Sequence, residues 1–244
     1  RRCSSEGYFC NKISIEKLKH FVSKEAFTID GLGKKIIEGF WKLKLLKFPQ
    51  DIFKLDYKKI EKLDGWGKLS VENLRYSIIE KKKISLERFI YALGIRHIGL
   101  ENAKILSKYF KVFPKFRDLS KNGKFNDLMN IDGIGETQVN SIKSFFLNES
   151  NLKVLNELEK VLVVKKAIQN SDDGLLKNKT FLVTGKLNGI SRAEVKSLIE
   201  ENSGKTVSSV SKKLNYLIIG DKPTKKKVDS AKQLKINVID QDEF

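Results

Sequence analysis

Ile131-Asp132-Gly133-Ile134-Gly135-Glu136 decides how this chain is read, because its pattern returns three times upstream. Ile29-Asp30-Gly31-Leu32-Gly33-Lys34 and Leu63-Asp64-Gly65-Trp66-Gly67-Lys68 repeat it closely, and Ile95-Arg96-His97-Ile98-Gly99-Leu100 repeats it with His97 in place of the first glycine. Behind each copy an apolar residue stands four and seven positions after the last glycine: Ile37 and Phe40, Val71 and Leu74, Ala103 and Leu106, Val139 and Ile142. That spacing predicts one buried face of a helix that begins at the glycine. The leading positions fall at 31, 65, 97 and 133, a period of roughly 34 residues that marks a repeat architecture.

A tight apolar-x-Gly-apolar-Gly turn leaves backbone N–H groups unpaired where the next helix starts. The helix dipole adds partial positive charge there, and glycine both tolerates positive φ and lets the backbone come close to an external group. Such a turn is a seat for an anion, and four on a basic chain suit a phosphate backbone. The motif resembles the helix-hairpin-helix of DNA repair and replication proteins. On that reading Gly31, Gly33, Lys34, Gly65, Gly67, Lys68, His97, Gly99, Gly133 and Gly135 are the expected DNA-binding residues. A lone Gly-x-Gly is equally a plain helical turn; four in register, each followed by helical periodicity, argue for the motif.

The chain has 244 residues, enough for two or three domains, and a formal net charge of +18. The charge is spread: residues 175–244 carry +6 and residues 1–174 carry +12. A basic balance on both parts favours a polyanionic partner, although lysine-rich composition alone contributes to it. No apolar run approaches the ~20 residues that span a membrane, and no signal-peptide pattern is present. The first residue is Arg1, from which the chain is expected to begin inside a longer protein.

Cys3 and Cys10 are the two cysteines. They could be half of a four-cysteine zinc site, but two ligands do not close a tetrahedron, and spacing alone favours free thiols. Residues 13–27 read as a helix with Ile15, Leu18, Phe21 and Val22 on one face, and Pro49 is expected to break the helix that follows the first turn. Lys81-Lys82-Lys83 reads as the solvated end of the helix behind the second turn. Residues 151–164 read as the terminal helix of an all-α array, and residues 165–178 as a linker.

From Lys179 the pattern changes to alternating strand and helix. Residues 180–184, 204–207, 216–219 and 236–239 read as strands. Ser191 with Glu194 forms a capping box before a helix expected to turn Val195, Leu198 and Ile199 inward, and residues 226–234 read as a second helix. This predicts a small α/β domain with a mostly parallel four-stranded sheet. Thr184-Gly185, the Gly204 turn, Ser211-Lys212-Lys213 before Tyr216-Leu217-Ile218-Ile219-Gly220, and Lys227 resemble the BRCT pattern. In phosphopeptide-binding members, positions matching Thr184, Gly185 and Lys227 hold a phosphate, for which hydroxyl, backbone N–H and ammonium are suitable chemistry, and a phosphate or DNA end is the ligand this implies here. The bland alternative is that Thr184 ends a strand and Lys227 is simply exposed. The chain stops at Phe244, where the last helix of that family is expected.

The order of cysteine pair, four hairpins and BRCT-like domain resembles the C-terminal half of the NAD-dependent DNA ligase family of bacteria. Leu18-Lys19-His20-Phe21-Val22-Ser23-Lys24-Glu25-Ala26-Phe27, Tyr91-Ala92-Leu93-Gly94-Ile95-Arg96-His97-Ile98-Gly99 and Lys179-Thr180-Phe181-Leu182-Val183-Thr184-Gly185 carry that resemblance. It implies four segments: a zinc-finger remnant over 1–12, a helix-hairpin-helix domain over 13–164, a linker over 165–178 and a BRCT domain over 179–244. It also turns the cysteine reading round, making Cys3 and Cys10 the second half of a four-cysteine zinc finger. The implied chemistry is nick sealing in replication and repair. AMP from NAD is passed to a 5′-phosphate and displaced by a 3′-hydroxyl with Mg²⁺ or Mn²⁺, all in a domain upstream of Arg1. The chain alone is therefore expected to be inactive, with no catalytic residue of its own. It is expected to be cytoplasmic at the nucleoid, monomeric, without a membrane, and bound to nicked double-stranded DNA without regard to sequence. Lys62-Leu63-Asp64-Gly65 spells the Lys-x-Asp-Gly motif that carries AMP in ligases, but it lies inside a hairpin repeat and is rejected as catalytic. A helix-hairpin-helix/BRCT scaffold without catalysis, or the DNA-binding half of a nuclease, are the other readings; no nuclease-type carboxylate cluster accompanies the second.

Overall fold

A computed structural model of the chain describes residues 8, 10–167 and 174–244. It divides into two compact units, Arg1–Ala167 and Ile168–Phe244.

The first unit is helical: α1 (Asn11–Phe21), α2 (Lys34–Lys42), a 3-10 turn (Pro49–Lys54), α3 (Tyr57–Ile60) and α4 (Lys68–Glu80). After strand β1 (Lys83–Ser85) come α5 (Leu86–Ala92), α6 (Leu100–Phe110), α7 (Phe113–Arg117), α8 (Leu119–Asn122), a second 3-10 turn (Asn126–Asn130), α9 (Glu136–Leu147), α10 (Glu149–Val161) and strand β2 (Val163–Lys165). The eight apolar positions singled out behind the glycines are all buried in one continuous core. Aromatic rings knit that core at two places. Phe21, Phe27 and Phe53 meet with ring centroids 4.2–6.2 Å apart, and Phe110, Phe116 and Phe146 form an edge-to-face run at 5.4 and 5.2 Å.

Three local expectations are corrected here. The helix expected over 13–27 ends at Phe21. The Ser23 carbonyl there accepts the amides of Ala26 and Thr28, so the chain reverses and stacks Phe27 on Phe21 instead of extending the helix. Pro49 does not break a helix: α2 has already ended at Lys42, and the proline opens the first 3-10 turn, where its missing N–H costs nothing. The array is also not purely helical, because Lys83 leaves the lysine run to join β1, which pairs in parallel with β2 (Lys83 with Val163, Ile84 with Val164). Ile84 is buried under this short ribbon.

The second unit holds β3 (Thr180–Thr184), α11 (Arg192–Glu201), β4 (Lys205–Thr206), β5 (Tyr216–Ile219), α12 (Lys225–Gln233) and β6 (Asn237–Asp240). The sheet order is β4-β3-β5-β6 and every pairing is parallel. Strand alternation sends Phe181 and Ile218 to one face with Val195 and Ile199 of α11, and Leu182 and Leu217 to the other with Ala231 of α12. A sheet covered on both faces is what parallel strands require. Ser191 caps α11 as the sequence predicts, its hydroxyl accepting Glu194 N–H at 3.2 Å while the Glu194 carboxylate accepts Ser191 N–H at 2.8 Å. Leu198, expected inward, is 39% exposed, and the sheet face is covered by Val195 and Ile199 instead.

Candidate nucleic-acid interface

Each repeat closes by the same backbone device. The amides of Leu32, Trp66, Ile98 and Ile134 reach back to the carbonyls of Ile29, Leu63, Ile95 and Ile131 at 3.4, 3.0, 3.1 and 3.0 Å. The third residue of every turn has positive φ: Gly31 at 86°, Gly65 at 79°, Gly133 at 84°, and His97 at 60°. That is the type II arrangement, which asks for glycine at this position. His97 adopts the same conformation without being glycine, so the degenerate copy keeps the geometry of the others.

The second glycine then becomes the residue before the helix. Gly33, Gly67, Gly99 and Gly135 are extended and, lacking a side chain, leave the first-turn amides of these four helices uncapped. Intrahelical bonding begins only at Ile37, Val71, Ala103 and Val139, whose amides bond to the four glycine carbonyls at 2.9–3.0 Å. The three amides before each point out of the helix end. Gly31, Gly33, Lys34, Gly65, Gly67, Lys68, His97, Gly99, Gly133 and Gly135 are all exposed. A β-carbon on Gly33, Gly65, Gly67 or Gly99 would meet no atom within 4 Å. The space in front of these amides is open.

The hairpins pack as two reciprocal pairs. The first turn leans on α4, where Asp30 N–H donates to Ser77 Oγ at 2.9 Å and Gly31 lies against Leu74. The second turn leans back on α2, with the Trp66 ring 5.5 Å from that of Phe40. The third turn meets α9 through His97 Nδ1 and Ser141 Oγ, 3.0 Å apart, and the fourth meets α6 where Gly133 abuts Ile105. Ser77 and Ser141 were not singled out in the sequence, since nothing in their spacing marks a serine that serves another hairpin's turn.

The helix starts differ in charge. Lys34 and Lys35 open α2 and Lys68 opens α4, with no acidic residue in either first turn, whereas Glu101 and Glu136 stand in the first turns of α6 and α9. In the second hairpin Ser70 Oγ accepts Gly67 N–H at 2.9 Å, and in the fourth Gln138 Oε1 accepts Gly135 N–H at 3.2 Å. The dipole is common to all four, but the first pair presents it with cations beside it. Lys62 of the Lys-x-Asp-Gly sequence is exposed at the entry to the second turn.

In the second unit Thr184 is only 2% exposed, and its Oγ1 accepts Thr224 N–H at 3.1 Å, at the start of α12. Lys227 in the first turn of that helix sets its Nζ 3.5 Å from Ser208 O. Gly185 is buried, and its carbonyl accepts Arg192 Nε and Nη2 at 3.1 and 2.8 Å. Thr184 therefore faces the helix of Lys227, while the Gly185 carbonyl is turned to Arg192 of α11. Cys3 lies outside the described residues, and Cys10 is a free thiol directly before α1. Among the described residues no three His, Cys, Asp or Glu side chains cluster as metal ligands. No helix among the described residues is long and apolar enough to cross a membrane.

Comparison with known proteins agrees with this arrangement. The family described as helix-hairpin-helix motif matches residues 88–155, the second hairpin pair, and the BRCA1 C Terminus (BRCT) domain family matches residues 171–244. Proteins named DNA ligase match along the whole chain. That of Pelagibacter ubique is 65% identical over 244 residues, covering 100% of this chain and 36% of the relative. That of Wolbachia pipientis from Culex pipiens is 40% identical over 248 residues (100% and 38%), and that of Sinorhizobium medicae 38% identical over 262 residues (100% and 36%). The chain spans a little over a third of the length of these relatives.

Proposed function

From the premise that this chain belongs to the C-terminal portion of the DNA ligase family, we propose that it is the DNA-gripping part of an NAD-dependent ligase that seals nicks between 5′-phosphate and 3′-hydroxyl in replication and repair. One observation carries the reading: four exposed helix starts, each opened by a glycine that cannot cap the first-turn amides and each preceded by a positive-φ turn, stand in two reciprocally packed pairs. Backbone amides there donate to phosphate oxygens, and Lys34, Lys35 and Lys68 add charge beside them. Contacts of this kind position a duplex without reading its sequence.

The chemistry with NAD and Mg²⁺ or Mn²⁺ belongs, on this reading, to the two-thirds of the relatives' length that the chain does not span. Zinc would need ligands beyond Cys3 and Cys10. The same reading makes the protein a cytoplasmic, nucleoid-associated monomer, with Thr184, Gly185 and Lys227 as a phosphate or DNA-end site once the Thr184 hydroxyl is released from Thr224.

Equilibrium binding of the whole chain to unrelated duplexes across a salt series tests the proposal. The logarithm of affinity is expected to fall with the logarithm of salt at about −0.9 per phosphate seated, nearly alike for every sequence. Joint replacement of Lys34 and Lys68 by alanine is expected to flatten that slope by roughly 2. Binding indifferent to salt, or strongly selective for one duplex, overturns it. So does sealing of a nick by the chain alone with NAD and Mg²⁺.

A further inference from the structure

His97 holds a backbone conformation that its three counterparts leave to glycine, with φ 60° where they have 79–86°. A non-glycine residue is disfavoured there by contact of its β-carbon with the following carbonyl. Such an outlier is a reason to ask what the side chain does. The ring is fixed by the neighbouring hairpin: Nδ1 lies 3.0 Å from Ser141 Oγ, and Ser141 Oγ lies 2.9 Å from Thr137 O. The serine has one proton, and the Thr137 carbonyl can only accept it. Ser141 Oγ must then accept from His97, so the proton sits on Nδ1 and Nε2 is the nitrogen left to make other contacts. His97 is exposed, directly before Ile98-Gly99 and the open amides of α6.

Glu101 weakens this third helix start as an anion seat. Asp132 and Glu136 flank the fourth, which meets it. A cationic side chain at the turn would restore what these carboxylates take away. We infer that His97 is a phosphate-contacting side chain aimed by Ser141 of α9, so that the third hairpin adds an imidazolium at its turn to the backbone amides of its helix start. Ser141 is then a positioning residue, acting only through the ring. The inference rests on the DNA-binding reading above and deepens it.

With Nδ1 committed to the serine, Nε2 donates to a phosphate oxygen only when the ring carries a second proton, so the contact is expected to strengthen as pH falls. The charged side chains of the third turn and α6 are Arg96, Glu101, Lys104 and Lys108, and those of the fourth turn and α9 are Asp132, Glu136 and Lys143; none of these types titrates ordinarily between pH 5.5 and 8. The chain contains one other histidine, His20, whose Nε2 lies 2.7 Å from Tyr91 O.

The test is binding of the whole chain to a duplex without terminal phosphates, at fixed low salt, between pH 8 and pH 5.5. Affinity is expected to rise roughly tenfold as pH falls, the size of one hydrogen bond to a charged group. His97→Gly, which suits the turn's backbone, is expected to flatten that profile, and at pH 5.5 to lose roughly tenfold in affinity and about 1 in salt slope. Ser141→Ala is expected to lose part of the rise, and Ser141→Thr, which keeps the hydroxyl, to retain it. A His97→Gly protein that keeps the wild-type pH profile overturns the inference, whatever its melting temperature. Salt-sensitive wild-type binding with no pH dependence also overturns it and leaves the DNA-binding reading standing. Absence of any duplex binding by the wild type removes that reading itself.

Discussion

A β-carbon built on Gly133 would stand 2.8 Å from Ile105 Cδ1, so the turn of the fourth hairpin is pressed onto the helix of the third. Gly65 has nearly the same φ, 79° against 84°, but nothing within 4 Å. The two glycines therefore separate backbone conformation from packing. Alanine at Gly65 is expected to cost about 1 kcal/mol for the positive φ alone. Alanine at Gly133 is expected to cost more, though by less than a rigid clash would, because the end of an isoleucine can shift. Denaturant midpoints of the two variants, at unchanged m value, measure the difference.

Gly33 and Gly67 lead to the opposite kind of variant. Their φ values are −66° and −138°, open to any residue, and neither has a neighbour within 4 Å. Alanine at either position is expected to change stability by less than about 1 kcal/mol. Its methyl group would stand between the helix amides and an approaching phosphate. Affinity for duplex DNA is expected to fall roughly tenfold for each, the size of one charge-assisted hydrogen bond. Titration of the two variants beside Gly65→Ala distinguishes a surface that meets DNA from one that only shapes the turn.

The helices behind the glycines were legible because Ile37, Phe40, Val71, Leu74, Ala103, Leu106, Val139 and Ile142 all follow one local period, and all eight are buried. Turn geometry was legible for the same local reason, and His97 shows that the repeat outlasts the loss of its glycine. The β1–β2 ribbon was not legible, since strands of three residues each are too short to show alternation and their partners lie about eighty positions apart. Nor was the pairing of hairpins: Gly133 with Ile105 and His97 with Ser141 are contacts between elements, and no spacing within either element announces them. The end of α1 was missed because the apolar pattern continues through Val22 while the chain is turned by carbonyl bonding at Ser23. Thr184 was legible as the end of a strand, but its engagement with Thr224 depends on how the sheet meets α12.

Gly185 sets a sharper test in the second unit. Its φ is +93°, and a β-carbon there would fall 2.6 Å from Gly220 O and 2.9 Å from Gly220 N, against rigid backbone. Gly220 faces Lys186 O in the same way at 2.2 Å, across a bridge in which the amides of Lys186 and Asp221 exchange bonds of 2.8 and 2.7 Å. Gly185→Ala is expected to destabilise this unit by about 3 kcal/mol or more. The helical unit has its own core. Limited proteolysis is therefore expected to digest the second unit in this variant and spare the first, whereas Lys227→Ala leaves both intact.

Glu157 on α10 is ion-paired to Lys160 and to Lys54 of the first 3-10 turn, the latter at 2.9 Å. The hydrogen bond from Lys160, then that from Lys54, holds its carboxyl down to about 2. A carboxylate whose pKa is lowered by folding contributes stability that is complete above its unfolded value, about 4.3, and is lost as pH falls through the folded one. Glu157→Gln removes that contribution. The difference in melting temperature between wild type and variant is expected to be constant from pH 7 to about 5, to narrow below about 4.3, and to vanish near 2. High salt is expected to shrink the difference at every pH, because the pair is exposed to solvent and therefore screened. A gap that instead widened toward acid would mean that Glu157 is held protonated in the fold. That would contradict its two lysine partners.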